Sequence, residues 1–287
     1  MTGKTVVVTG GNTGVGFHTA AALRHMGADV VLTARDPAKG QAAVAEIEAQ
    51  VPAGTPGSTA WQHLDLASFR SIESFAERFA DEHDRIDVLV NNAGALLGKR
   101  SFTEEGFEAT FGVNHLGHFL LTQRLLPLLR AQPGSRIVNV ASEAHRAARG
   151  IDFDDIQRER SYKPFRVYAE SKLMNILFTR ELARRLADVP IHAFAVHPGV
   201  VASRFAQDGD AGGLIPWFYR VFKVFMRTPE QGARGTIYLA SAPSIEGRSG
   251  GYFVDEHEKT PSRYARDDAL ARRLWEASEA WVAARHP

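Results

Sequence analysis

The chain of 287 residues is 44% hydrophobic and 23% charged, and 34 Lys and Arg against 33 Asp and Glu leave a formal net charge of +1. Apolar content of this order can bury a sizeable core, while the charge balance excludes the concentrated basic surface of a nucleic-acid binder. The absence of cysteine removes disulfides, zinc ribbons, iron–sulfur clusters and thiol nucleophiles together, and fits a reducing compartment. No apolar run reaches the roughly 18 residues needed to span a bilayer. The first strand-like run begins at Thr5 without a signal peptide ahead of it, so a soluble cytoplasmic protein is expected.

Thr5–Thr9 is a β-branched run that predicts the first strand, and apolar residues then recur at helical spacing from Gly14 to Met26. Val30–Thr33 reads as a second strand, and Asp36-Pro37 opens a helix over Pro37–Gln50, a capping residue ahead of Pro in the first turn. Further strands are expected at Thr59–His63, Ile86–Val90, Arg136–Val140, Ile191–Val196 and Gly251–Val254. Helical patterns fill Ser68–His83, Phe107–Arg130, Val167–Leu186 and Pro229–Ala240, and an amphipathic stretch, Asp267–Ala284, closes the chain. Strands spaced by helices need crossovers, which are right-handed. The expectation is therefore an α/β fold, a doubly wound, Rossmann-type parallel sheet with helices on both faces, in a single domain.

Glycines follow the first strand and open the first helix in Thr9-Gly10-Gly11-Asn12-Thr13-Gly14-Val15-Gly16. Outward-pointing N–H groups at a helix start suit a phosphate, and a ligand-free tight turn is the competing reading. The second strand ends in Ala34-Arg35-Asp36. An acidic residue at that tip would take a ribose 2′-hydroxyl, whereas the Arg35 guanidinium suits a 2′-phosphate and Asp36 suits a helix cap. Asn91-Asn92-Ala93-Gly94 follows a strand with small residues and amides, which suit close packing against a flat ring, and a plain turn is the competing reading.

Tyr168-x-x-x-Lys172 sits in a helical pattern, and positions four apart share a face. A nearby ammonium favours phenolate and lowers the Tyr pKa, making it a usable proton donor or acceptor. Tyr219-x-x-x-Lys223 has the same spacing, but Tyr168 begins a long helix, with Ser142 at the end of the preceding strand. Tyr168 is the candidate of choice.

Together these motifs, in this order from Val6 to about Val254, resemble the short-chain dehydrogenase/reductase family. The resemblance implies hydride transfer between a nicotinamide cofactor and a carbonyl or alcohol, with Tyr168 as acid/base and Lys172 binding the nicotinamide ribose. It further implies that Ser142 hydrogen-bonds the substrate oxygen and Asn114 anchors a proton-relay water. Gly10, Asn12, Thr13, Gly14, Val15, Asn92, Ala93 and Gly94 would line the cofactor, with Asp65 and Leu66 at the adenine. Pro198, Gly199 and Val201 would close over the nicotinamide, and Ser203 would touch the carboxamide or phosphate. Arg35 then implies preference for NADP(H), with NAD(H) as the alternative.

A narrower resemblance, to the retinol dehydrogenase-like branch, rests on Asn114–Thr122, the long Glu143–Val167 connection, Tyr168-Ala169-Glu170-Ser171-Lys172-Leu173 and Thr228-Pro229-Glu230-Gln231-Gly232. Many members of that branch carry an N-terminal membrane segment, which is not expected here. The family also implies a homodimer or homotetramer paired through helices at Phe107–Arg130 and Val167–Leu186.

His115, His118, His145 and His197 are singly placed and call for no metal. Arg146, Arg149, Arg158 and Arg160 alternate with acids and read as a solvated face. The aromatic run Leu214–Met226, behind Gly209, Gly212 and Gly213, is expected to form a substrate cover at about 203–227, favouring bulky apolar substrates. A helical extension is expected at about 264–285.

Overall fold

The structure is a computed structural model, which describes residues 1–201, 227–243 and 245–285. The expected cover, all but Arg227, lies outside the described residues, and with it Ser203, Tyr219 and Lys223.

Eight described strands form one sheet in the order β3-β2-β1-β4-β5-β6-β7-β8. They are β1 (Thr5–Val8), β2 (Asp29–Ala34), β3 (Thr59–His63), β4 (Val88–Asn91), β5 (Ser135–Val140), β6 (Ile191–His197), β7 (Tyr252–Val254) and β8 (His257–Glu258). All pairs are parallel except β7 with β8. Register follows the apolar pattern, with Val6 opposite both Val30 and Val88.

Alternation along β1 divides the core. Val6 and Val8 join one buried cluster with Phe17, Leu23, Ile47 and Leu239, from α1 (Gly14–His25), α2 (Pro37–Gln50) and α7 (Pro229–Ser241). Val7 points to the other face. There it joins Phe75, Leu125, Phe178 and Trp275, from α3 (Phe69–Glu82), α5 (Gly117–Arg130), α6 (Pro164–Arg185) and α8 (Asp268–Arg285). A period-2 strand with a consecutive apolar run, here Val6–Val8, needs helices on both sides, and it has them.

The helix expected over Phe107–Arg130 is not continuous. A short α4 (Ala109–Phe111) passes into a π-turn at Gly112–Leu116 and only then into α5. Arg158 corrects a second expectation. It is 5% exposed, with a left-handed φ of +57°, and pairs with Glu170 of α6, which also receives Arg166 at 2.9 Å. Arg146, Arg149 and Arg160 are exposed as expected.

The C-terminal helix α8 lies against α6 and reaches the π-turn. Trp275 stacks on Phe178 at 5.8 Å and meets Phe119 edge-on at 5.0 Å, while Ser278 bonds His115 at 2.9 Å. Part of the surface through which the family resemblance implies pairing is thus covered by the chain itself. No described helix is long and apolar enough to cross a membrane.

Candidate active site

Strand order reverses beside β1, where β2 lies on one side and β4 on the other. A crevice opens at the carboxyl ends of the strands at such a switch point, and this one gathers the motifs singled out in the sequence.

The glycine loop fits a dinucleotide phosphate. Gly10 holds a φ of +62°, a conformation open to glycine at little cost, and its α-carbon faces Ala93. A Cβ on Gly16 would lie 2.4 Å from both the Asn92 amide nitrogen and the Gly10 carbonyl oxygen. Helices α2, α3 and α7 are capped by the side chains of Asp36, Ser68 and Thr228. Thr13, at the start of α1, makes no such bond, which leaves the N–H groups of the first turn, from Gly14 and Val15, for an anion.

Thr9 locks this loop to the next. Its hydroxyl oxygen accepts the N–H groups of Asn92 (2.9 Å) and Ala93 (3.0 Å) and lies 2.9 Å from His118 Nε2. His118 Nδ1 faces the Asn114 carbonyl at 3.3 Å, which can only accept, so Nδ1 carries the proton and Nε2 receives the Thr9 hydroxyl. Burial holds the His118 pKa down at about 3, keeping the ring neutral. Asn92 adds a bond from its amide to the Thr9 carbonyl at 2.8 Å.

Beneath the crevice runs a buried polar chain. Asn91 donates to Thr122 and to Asn139, Asn139 to Thr179, and Thr179 to the Asn175 carbonyl. The Asn175 amide and the Lys172 ammonium both donate to the Val140 carbonyl at 3.1 Å.

At the open end stand Ser142, Tyr168, Lys172 and Asn114. Ser142 follows β5 and caps the 3₁₀ turn Glu143–Ala147, accepting the Ala144 N–H at 3.1 Å. Tyr168 and Lys172 share a face of α6, with the ammonium 5.6 Å from the ring centroid. Burial pushes the phenol pKa up to about 12, partly offset by a hydrogen bond with Ser142. Burial also pulls Lys172 down to about 8. The lowered Tyr pKa expected from the Tyr-x-x-x-Lys spacing is therefore not what this structure shows, because desolvation outweighs the opposing hydrogen bond with Ser142.

The Asn114 amide is committed to the scaffold. It accepts the Ala95 N–H (2.6 Å) and donates to the Ala95 carbonyl and the Ser171 hydroxyl, both at 2.9 Å. This ties the loop following Gly94 to α6.

The remaining expected residues ring the same crevice. Leu66 is buried, and Asp65 accepts the Ala67 N–H at 3.0 Å; both follow β3. Pro198 and Gly199 follow β6, and a Cβ on Gly232 of α7 would touch Val201, Val15 and the Pro198 carbonyl, so these three meet there. Arg35 is exposed just past β2, without a hydrogen bond or ion pair among the described residues, while Asp36 is used as the cap of α2. Sequence reasoning left Thr9, Asn139 and Asn175 without a role. Buried polar side chains at strand ends and on an apolar helix face were the available signal.

A family model for short chain dehydrogenases matches residues 4–212, and the chain belongs to that family. It is an NAD(P)-dependent oxidoreductase of the retinol dehydrogenase-like branch. Mouse retinol dehydrogenase 14 is 43% identical over 98% of this chain and 86% of the relative. A solved protein from Mycobacterium Paratuberculosis superposes with a TM-score of 0.78 at 35% identity, covering 100% of this chain and 96% of its own. The Pseudomonas aeruginosa protein RhlG, solved as an NADP active-site complex, has a TM-score of 0.69 at 25% identity, with coverage of 92% and 97%.

Proposed function

We propose that the protein interconverts carbonyl and alcohol groups on bulky apolar substrates and prefers NADP(H). The observation that carries the reaction is the placement of the Tyr168 phenol, hydrogen-bonded to Ser142 with the buried Lys172 ammonium 5.6 Å from its ring centroid. The nicotinamide cofactor, when bound, supplies or accepts the hydride. In the reducing direction Tyr168 gives its phenolic proton to the carbonyl oxygen as alkoxide charge builds. Ser142 donates its hydroxyl to the same oxygen, and this bond strengthens with the charge. Lys172, held by the Val140 carbonyl, presents its ammonium beside the phenolate that remains, and so favours the proton's departure.

Arg35, without an ion pair among the described residues, supports NADP(H), since a guanidinium matches a 2′-phosphate and the Asp36 side chain is used as the cap of α2. An NADP complex of RhlG, which shares the fold, is consistent with that preference. For the substrate, the support is the aromatic Leu214–Met226 run and the likeness to a retinol dehydrogenase. The cysteine-free composition supports a reducing compartment such as the cytoplasm.

The test is reduction of a homologous series of aliphatic and aromatic aldehydes, with NADPH and NADH in parallel, followed by absorbance of the reduced nicotinamide. Each buried methylene contributes about 0.8 kcal/mol, so kcat/KM rises with chain length. A flat or falling series would remove the substrate reading, and equal rates with both cofactors would remove the NADP preference.

A further inference from the structure

Ser142 sits where β5 gives way to a single 3₁₀ turn, a weak form of helix that needs outside support to hold a hydroxyl in place. The support comes from His145, three residues on and fully buried. The Ser142 carbonyl receives two bonds from it, the backbone N–H at 3.1 Å and ring Nδ1 at 2.7 Å. A carbonyl only accepts, so Nδ1 carries the proton. Ring Nε2 receives the backbone N–H of Ser262 at 3.1 Å, so it carries the lone pair. Both assignments describe one neutral tautomer, and burial, which lowers the His145 pKa, favours the same form.

The ring is one of three ties between this turn and the stretch from β7 to Ser262. Tyr252 donates to Glu143 at 2.7 Å and lays its ring edge-on to the imidazole at 5.1 Å. Arg146 donates to the Thr260 carbonyl at 2.9 Å and to Glu143 at 2.5 Å. Glu143 and Arg146 are solvent-facing at their outer ends, so His145 is the tie that acts from within the core.

We infer that His145 is a positioning residue for the reaction: as the neutral Nδ1–H tautomer it fixes the Ser142 carbonyl and makes the placement of the Ser142 hydroxyl depend on the Ser262 strap. The inference rests on the proposed role of Ser142. Small displacements of a reacting group are costly, and a shift of about 1 Å can cost on the order of 100-fold in rate.

Four variants test it: S142A, H145F, H145N and S262P, the last with S262A as its control. Each is measured for kcat, KM for aldehyde, NADPH affinity by fluorescence, and Tm. H145F removes both ring bonds and is expected to lower kcat by about 10- to 100-fold with NADPH affinity unchanged. H145N keeps a donor at the Nδ1 position and should recover most of that loss, whereas Tm should fall in both. S262P removes the strap's N–H as well as the hydroxyl that accepts the Ala265 N–H, whereas S262A removes the hydroxyl alone. S262P should lower kcat more than S262A does, which keeps the test alive if H145F does not fold. Full kcat in H145F, or in S262P where H145F fails to fold, overturns the positioning role while an inactive S142A leaves the site reading standing. Full activity in S142A overturns the Ser142 role itself, and the inference with it.

Discussion

The Lys172 ammonium stands 5.6 Å from the centre of the Tyr168 ring, yet its hydrogen bond goes to the Val140 carbonyl at 3.1 Å. The cation is therefore anchored to β5 and only faces the phenol. With the phenol pKa at about 12, Tyr168 keeps its proton across the physiological range. That is the form an acid needs.

Tyr168→Phe is expected to lower kcat by a factor on the order of 10² to 10⁴, the usual worth of a positioned acid or base. NADPH affinity, read by fluorescence titration, should survive. Tyr219→Phe, in the duplicate spacing, should cost far less. Equal losses in the two variants would transfer the acid role away from Tyr168.

Arg35→Ala should weaken NADPH binding by roughly one to two decades, corresponding to a charge-assisted contact of about 1.5–3 kcal/mol. NADH binding should hardly move. Isothermal titration with both nucleotides checks this, and a parallel fall for NADH would show that Arg35 supports the loop and not the phosphate.

Stability should fall as the solution is acidified. His115 and His118 are both held by burial at a pKa of about 3, against an ordinary 6.5. Between those values the unfolded chain binds protons that the folded chain refuses, so unfolding becomes easier as pH drops and stability is regained as pH rises through 6.5. At pH 5 the cost relative to pH 7 is about 2 kcal/mol for each ring. Denaturant unfolding of wild type and His115→Phe at the two pH values should show a shallower dependence in the variant.

Trp275→Ala should destabilise the fold by about 3–5 kcal/mol. The indole is 5% exposed, stacks on Phe178, meets Phe119 and lies under the Arg185 guanidinium at 4.5 Å. Urea unfolding measures the loss. A change under about 1 kcal/mol would mean that α8 contributes little to holding α6.

Most of the scaffold was legible because apolar period and punctuation agree. Val6–Val8 and Val30–Leu32 are β-branched or apolar throughout, and Asp36-Pro37 opens α2 where the capping rule places it. β8 escaped because His257–Glu258 is two polar residues, paired only through the chain reversal after β7. Arg158 escaped because its partner Glu170 is twelve residues away, and no local pattern reveals that the intervening loop folds back. The sign of the Tyr168 shift escaped for a related reason: spacing reports a neighbour's charge, but not how much water the fold removes. The motif residues themselves lie where the sheet's switch point requires. What spacing did not reveal was the support behind them, the Thr9–His118 and Asn139–Asn175 contacts, which depend on pairings between distant strands.

The π-turn at Gly112–Leu116 has a consequence for chain length. A π-turn accommodates one residue more than an α-turn, and each residue of an α-helix advances about 100° around the axis. Removing one residue here would leave a smoother, better-bonded helix. It would also rotate the two ends against each other by about 100°. Asn114 would lose Ala95 and Ser171, or else Phe119 and Leu125 would turn out of the core. The irregular turn lets one rod serve two alignments, one set by the crevice and one by the sheet, so a single-codon deletion there should be far harder to tolerate than the same deletion in the exposed Pro52–Ser58 loop.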